Sequence, residues 1–205
     1  MLPGEKGNRA AALNLGSVLA SFSRALESRD PSMRGHGARV AANALTIARG
    51  LGWSEARLVA LQVAGVLHDV GKLSVATEIL RKPGGLTSSE LAEVRRHPAA
   101  GARMIEPFPA LRSVIPYVLY HHERWDGEGY PAARSGDAIP LGARILAVAD
   151  AFDAMTSPRP YRESLTPEAA LAEVERCAGT QFDPLVAQTF LECWRENGYA
   201  RAAGL

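Results

Sequence analysis

Lysine and cysteine are scarce in this chain, and long apolar runs and alternating apolar–polar stretches are missing. The two cysteines, Cys177 and Cys193, lie far apart and match no zinc spacing. They read as reduced thiols rather than as a metal site or a disulfide framework. Three lysines, Lys6, Lys72 and Lys82, stand among 23 basic residues that 22 acidic ones balance. The resulting net charge of +1 argues against a polybasic nucleic-acid binder and against a cationic membrane-surface protein. Apolar runs such as Val63 to Leu67 fall far short of a bilayer span, and the start does not resemble a signal peptide. The expectation is a soluble, cytoplasmic protein with neither membrane nor polymeric nucleic acid as a partner. With no period-2 pattern to compete, the chain reads as all-α.

Its 205 residues suit one domain, or one domain with a helical extension. Residues 1–14 read as a loose opening, 15–197 as the domain and 198–205 as a tail. Within the domain, Leu15, Val18, Leu19, Phe22 and Leu26 predict a first helix over about 15–28 that packs on the rest, stopped by Asp30-Pro31. A second helix carries His36 and the stripe Val40, Ala44, Ile47, Leu51. Ser54 opens a third, which runs through Leu58, Leu61 and Val66 into His68-Asp69. Lys82 to Gly85 is a turn, and Thr87 with Glu90 has capping-box spacing for a helix leading to His97. Val114 to His122 reads as a helix before a Gly-rich loop, Asp126 to Gly136. Pro140 starts the helix bearing Asp150, and Thr166-Pro167 and Asp183-Pro184 announce two closing helices.

All five histidines, His36, His68, His97, His121 and His122, form one ordered series with Asp69 and Asp150. Histidine is the commonest metal ligand, and carboxylate suits a hard divalent ion. Neighbouring helical side chains point roughly 100° apart, so His68-Asp69 and His121-His122 can each serve two ions rather than chelate one. Seven ligands are too many for one ion and suit two that share a carboxylate. Imidazole and carboxylate without thiolate fit iron or manganese better than structural zinc. Two ions roughly 3.5–4 Å apart would activate a water and hold both oxygens of an in-line phosphoryl displacement. Lys72, one turn past His68, would balance charge on the phosphate.

The segment His68-Asp69-Val70-Gly71-Lys72 resembles the signature of the HD phosphohydrolase superfamily. His121-His122-Glu123-Arg124-Trp125-Asp126-Gly127-Glu128-Gly129-Tyr130-Pro131 resembles the second signature of its HD-GYP subfamily, whose members hydrolyse cyclic di-GMP. Asp30 to Val40, Lys82-Pro83-Gly84, Ala147 to Asp150, Arg159-Pro160-Tyr161-Arg162 and Gly179 to Pro184 agree as well, so the likeness runs from about Leu15 to about Glu192. The resemblance implies an HD-domain helical bundle with a dinuclear metal site in its core. One ion would sit on His36, His68, Asp69 and Asp150, and the other on Asp69, His97, His121 and His122, with Asp69 bridging. Lys72, Tyr130, Arg159 and Arg162 match positions that contact phosphate or guanine in the family, and Asp30 and Asp153 match neighbouring ones. A third metal in some relatives uses a glutamate where this chain has Ser32, so two ions are expected. Met33 and Gly37 depart from a common threonine and serine.

The implied activity is metal-dependent hydrolysis of cyclic di-GMP to linear pGpG and on to GMP, with Asp69 and Lys72 as the catalytic residues. Three bland readings compete with parts of this. His97-Pro98 marks a helix break on its own, Lys72 caps a helix dipole, and Arg159 and Arg162 form solvated salt bridges. The rival functions are a catalytically weak receptor or adaptor that binds cyclic di-GMP or a GGDEF-type protein, and a hydrolase of another phosphoester. The amphipathic first helix would also let two copies pair as a homodimer.

Overall fold

The computed structural model describes residues 3–158 and 163–202, with side chains over 15–158 and 163–196. Among these residues the only β feature is an isolated bridge between Ala178 and Phe182, and the rest is helices and turns. In chain order they are α1 (Pro3–Arg29), α2 (His36–Gly50), α3 (Glu55–Leu67), α4 (Thr77–Leu80), α5 (Ser88–Val94), α6 (His97–Ile105), α7 (Ile115–Tyr120), α8 (Leu141–Thr156), α9 (Pro167–Arg176) and α10 (Pro184–Ala202).

Local sequence signals set most boundaries. Asp30 ends α1 and caps the short 3-10 turn Pro31–Met33, its side chain accepting from Ser32 N. Thr87 and Glu90 form the expected reciprocal capping box at α5, and Thr166 accepts from Ala169 N at α9. Two expectations need correction. The opening 1–14 is helical from Pro3, because α1 continues back through the alanines of Arg9 to Ala12, which favour helix without tertiary help. At the other end α10 runs on to Ala202 rather than stopping before a tail.

The core sits where α2, α3, α8 and α10 meet, around Val40, Ile47, Leu61, Leu67, Ile145, Val148 and Phe190. On α2 and α3 the helices approach so closely that a Cβ at Gly65 would lie 2.7 Å from Ala41 Cα. The same approach explains Gly37, whose added Cβ would meet Val66 O at 3.0 Å. A serine there would press the two helices apart. These small residues bring the helices that carry His36 and His68 into contact. Outside this layer α1 lays Leu26 against the bundle and crosses Phe22 edge-on to Phe108, with ring centroids 6.4 Å apart.

Candidate metal centre

The ligand-type side chains reach the centre from helix ends, with Asp150 in mid-α8 the exception. His36 and His97 open α2 and α6, while His68-Asp69 and His121-His122 directly follow α3 and α7. Helix ends leave carbonyls without an intrahelical N–H, and three histidines use one. His68 Nδ1 donates to Gly65 O, His97 Nδ1 to Val94 O and His121 Nδ1 to Val118 O, each at 2.8 Å. The Val94 carbonyl is left over because the residue four places on is Pro98, which has no N–H. The helix break at His97-Pro98 is therefore part of how the ring is held. His36 is fixed from farther away, donating from Nδ1 to Asp153 Oδ2 on α8 at 2.7 Å.

A carbonyl can only accept, so Nδ1 carries the hydrogen in those three rings and the Nε2 lone pair turns inward. The Nε2 atoms of His36 and His68 lie 3.3 Å apart, as do those of His97 and His121. Asp69 stands between the two pairs. Its Oδ2 is 3.5 Å from His36 Nε2, 3.4 Å from His68 Nε2 and 2.7 Å from Lys72 Nζ. Its Oδ1 faces His97 Nε2 at 3.1 Å, buried and without a hydrogen bond from any group. Asp150 Oδ1 adds to the first pair, 3.3 Å from His36 Nε2 and 3.7 Å from His68 Nε2. The ligand atoms of His36, His68 and Asp69 converge as one group, and those of Asp69, His97, His121 and His122 as another. Facing lone pairs and an orphaned carboxylate oxygen repel one another unless a cation lies among them. The donor set thus fits divalent metal, and the cluster could hold it.

The electrostatics agree. Burial opposes charge on His36, but Asp150, Asp153 and Asp69 outweigh it and lift its pKa to about 11. His68, more deeply buried, is lifted to about 9 by Asp69 and Asp150 against that burial. Burial drives His121 well below its ordinary value, helped by the neighbouring ring of His122, and takes His122 to about 3. Asp69 is held ionised against its burial by Lys72 and His68, and Asp150 by His36 and His68. The protons that His36 and His68 carry in the absence of metal stand where a cation would. Metal uptake near neutral pH is therefore expected to release those protons, up to two per chain, with release fading as pH rises through about 9 for His68 and about 11 for His36. Without metal, the two protons favour the folded state below the unfolded-state pKa of about 6.5, and their contribution is lost as pH rises through the two raised values. Calorimetric titration with Mn(II) in buffers of unlike ionisation heat measures the release; uptake with no proton released would contradict this assignment.

A cleft of about 460 Å³ opens beside His36 and is lined also by Lys72, Arg39 and Asp153. Ile79, Leu80, Leu86 and Val94 add apolar lining, and Arg81 and Lys82 basic lining. Lys72 reaches it from a 3-10 turn, Val70–Ser74, and not from the same helix as His68, because α3 stops at Leu67. Asp30 lines the cleft too, with Oδ1 engaged by the backbone N and hydroxyl of Ser32. Both Asp153 oxygens are taken by His36 and Arg39, so its main contacts are with the protein. Tyr130 stacks on His122, with centroids 4.9 Å apart and planes 28° from parallel. Arg159 and Arg162 lie outside the described residues. Two residues not singled out as site residues belong here. Buried Glu123 accepts from Ala132 N at 2.7 Å and Arg134 N at 3.1 Å, which folds the loop that carries Tyr130 back onto His122. Arg39 is the other, and its position, three residues after His36, was the only signal of it.

Residues 20–186 match the family model of the HD domain. The chain is 41% identical over 178 residues to the cyclic di-GMP phosphodiesterase response regulator RpfG of Xanthomonas campestris pv. campestris, covering 85% of this chain and 47% of that protein. It is 37% identical over 167 residues to the 3′3′-cGAMP-specific phosphodiesterase 3 of Vibrio cholerae, covering 82% of this chain and 36% of the relative. The chain thus spans about half or less of the curated relatives it matches. Among solved structures, a cyclic GMP-AMP specific phosphodiesterase of Vibrio cholerae superposes with a TM-score of 0.70 at 22% identity, over 89% of this chain and 49% of that one, which establishes the shared fold. No helix among the described residues is long and apolar enough to cross a membrane.

Proposed function

Given that the chain belongs to the HD domain family, we propose that it is a metal-dependent phosphodiesterase that opens cyclic di-GMP to linear pGpG and then to GMP. The observation that carries this reading is Asp69, a buried carboxylate with one oxygen toward each histidine group. His36, His68, Asp69 and Asp150 would hold one divalent ion, and Asp69, His97, His121 and His122 the other; iron or manganese suits both donor sets. When bound, such a pair supplies an activated water and Lewis-acid stabilisation of the charge that develops on phosphate.

The chain's own groups do the rest. Lys72 Nζ, held 2.7 Å from Asp69 Oδ2 and 23% exposed, puts a positive charge between the centre and the cleft, where it draws a phosphate oxygen in. Arg81, anchored by Ser28 O and Arg29 O, adds positive charge to the cleft lining for a second phosphate, Lys82 being paired with Glu90, and the apolar side chains of Ile79, Leu80 and Leu86 take a nucleobase. Tyr130, stacked on His122, limits how a nucleotide can enter beside that ligand. The names of the matched relatives, which include both cyclic di-GMP and 3′3′-cGAMP phosphodiesterases, support a cyclic dinucleotide as the substrate class.

The test is chromatography of products after the Mn-reconstituted protein is incubated with cyclic di-GMP, 3′3′-cGAMP and a linear phosphodiester in parallel. Metal-dependent appearance of pGpG or GMP supports the reading. Turnover of 3′3′-cGAMP alone would change the substrate, and turnover of the linear diester alone would point to a hydrolase of another phosphoester. Binding of cyclic di-GMP without product from fully metal-loaded protein would favour the receptor or adaptor role.

A further inference from the structure

Arg39 is not a ligand-type residue. Its side chain is 45% exposed at the cleft, and on sequence alone it is one more arginine of a helix surface. Its contacts say otherwise. Arg39 Nε donates to Asp153 Oδ1 at 2.6 Å and Nη2 to Asp153 Oδ2 at 3.1 Å, the two-pronged geometry that a planar guanidinium can make and an ammonium cannot. Nη1 donates to Arg34 O at 3.1 Å, which ties the same fork to the turn just before α2. Asp153 is 3% exposed, and its Oδ2 also accepts from His36 Nδ1 at 2.7 Å.

The difference from the other rings matters. His68, His97 and His121 are each held by a carbonyl of their own chain three residues back, and that partner cannot rotate away. His36 opens α2 after Gly35, whose left-handed backbone separates it from the 3-10 turn Pro31–Met33, and its Nδ1 turns to Asp153 instead of a carbonyl three residues back. Its acceptor is a carboxylate on another helix, free to turn about its own side-chain bonds unless something fixes its plane. The bidentate fork of Arg39 fixes it.

We propose that Arg39 is a positioning residue: through Asp153 it holds the His36 ring with Nε2 directed at Asp69 and Asp150, and so sets the affinity of the ion on the His36 side. This rests on the two-ion reading above. The competing role is a plain strut between α2 and α8, which would act on fold stability and on both ions alike.

The experiment is Mn(II) titration of the full metal-free chain, with free Mn(II) followed by its EPR signal and metal-free melting temperature measured alongside. Wild type, Arg39→Ala, Arg39→Lys, Asp153→Asn and His36→Ala are compared. Wild type is expected to take up two ions. In Arg39→Ala one ion should bind as before and the other about 10- to 100-fold more weakly, the range typical for loss of a group that orients a metal-bound histidine. Asp153→Asn should weaken the same ion, and His36→Ala should lose it. Arg39→Lys keeps the charge without the fork and should fall between Arg39→Ala and wild type; if Arg39→Ala does not fold, this variant decides. Two ions bound at wild-type strength in Arg39→Ala, or in Arg39→Lys where only that variant folds, would overturn the positioning role while leaving the two-ion reading intact. Equal weakening of both ions together with a lower metal-free melting temperature would make Arg39 a strut. A wild-type protein that takes up fewer than two ions would remove the underlying reading, and the proposal with it.

Discussion

Asp69→Ala is expected to abolish turnover and to remove both ions together, whereas His36→Ala removes one. No other side chain of the centre faces both histidine groups with separate oxygens, Oδ2 toward His36 and His68 and Oδ1 toward His97. Without it the His97 group is left with imidazoles alone, the His36 group keeps only Asp150 to balance a divalent charge in a buried site, and nothing joins the two. Lewis-acid stabilisation by a metal pair supplies several kcal/mol, and about 4 kcal/mol corresponds to about a thousandfold in rate. A loss of that size or greater is the expected result. The fold should survive, because the helices are held through Val40, Leu67 and Val148 and not through this carboxylate. Metal content by elemental analysis, circular dichroism and product chromatography on the same preparations check the three statements. Retention of one ion in Asp69→Ala would end the bridging role, even if activity were lost.

Much of this centre was legible in the chain because its chemistry is concentrated in rare residue types. With five histidines in the whole sequence, their order alone proposes a site, and the structure brings all five side chains together with Asp69 and Asp150. Most helix caps were equally readable, since Thr87, Thr166 and Asp183 act on backbone within three residues of themselves, whereas Ser54 stands at the start of α3 without a side-chain cap hydrogen bond. What stayed hidden was non-local or context-dependent. Arg39 shares Asp153 with His36 across 114 positions, and no spacing rule reports that. Nor does any pattern show that Val94 O is the partner of His97, because that follows from Pro98 depriving the carbonyl of its ordinary donor. Lys72 was placed one helical turn too simply, since the chain changes from α to 3-10 geometry right after Asp69. The 3-10 turn then packs on α6 through a contact that the sequence records only as a glycine.

The glycine is Gly71, and Gly71→Ala is expected to be among the most damaging single-methyl additions in the chain. A Cβ there would fall 1.9 Å from His97 O and 2.5 Å from Gly101 N, both backbone atoms that cannot swing aside. Gly101 answers it from α6, where a Cβ of its own would lie 3.2 Å from Gly71 N. The two glycines let the 3-10 turn after His68-Asp69 lie directly on the first turns of α6, which is how Asp69 Oδ1 comes within 3.1 Å of His97 Nε2. An added methyl must push the turn that follows Asp69 away from His97 and Gly101 on α6. Overpacking of a well-packed site typically costs about 1–3 kcal/mol, and a clash with rigid backbone belongs at the upper end. For a chain of this size about 3 kcal/mol lowers the melting temperature by roughly 6–12 °C. Gly85→Ala is the matched control: its Cβ meets nothing within 4 Å, so its melting temperature should stay close to wild type. The two effects of Gly71→Ala can be separated by temperature. Well below its melting point the variant is folded, yet it should still bind the ion on the His97 side poorly, because Asp69 has been moved away from that group while His36, His68 and Asp150 keep their places. A Gly71→Ala protein that melts as wild type does would mean that the turn shifts without cost and that the glycine contact does not set the distance between the two groups.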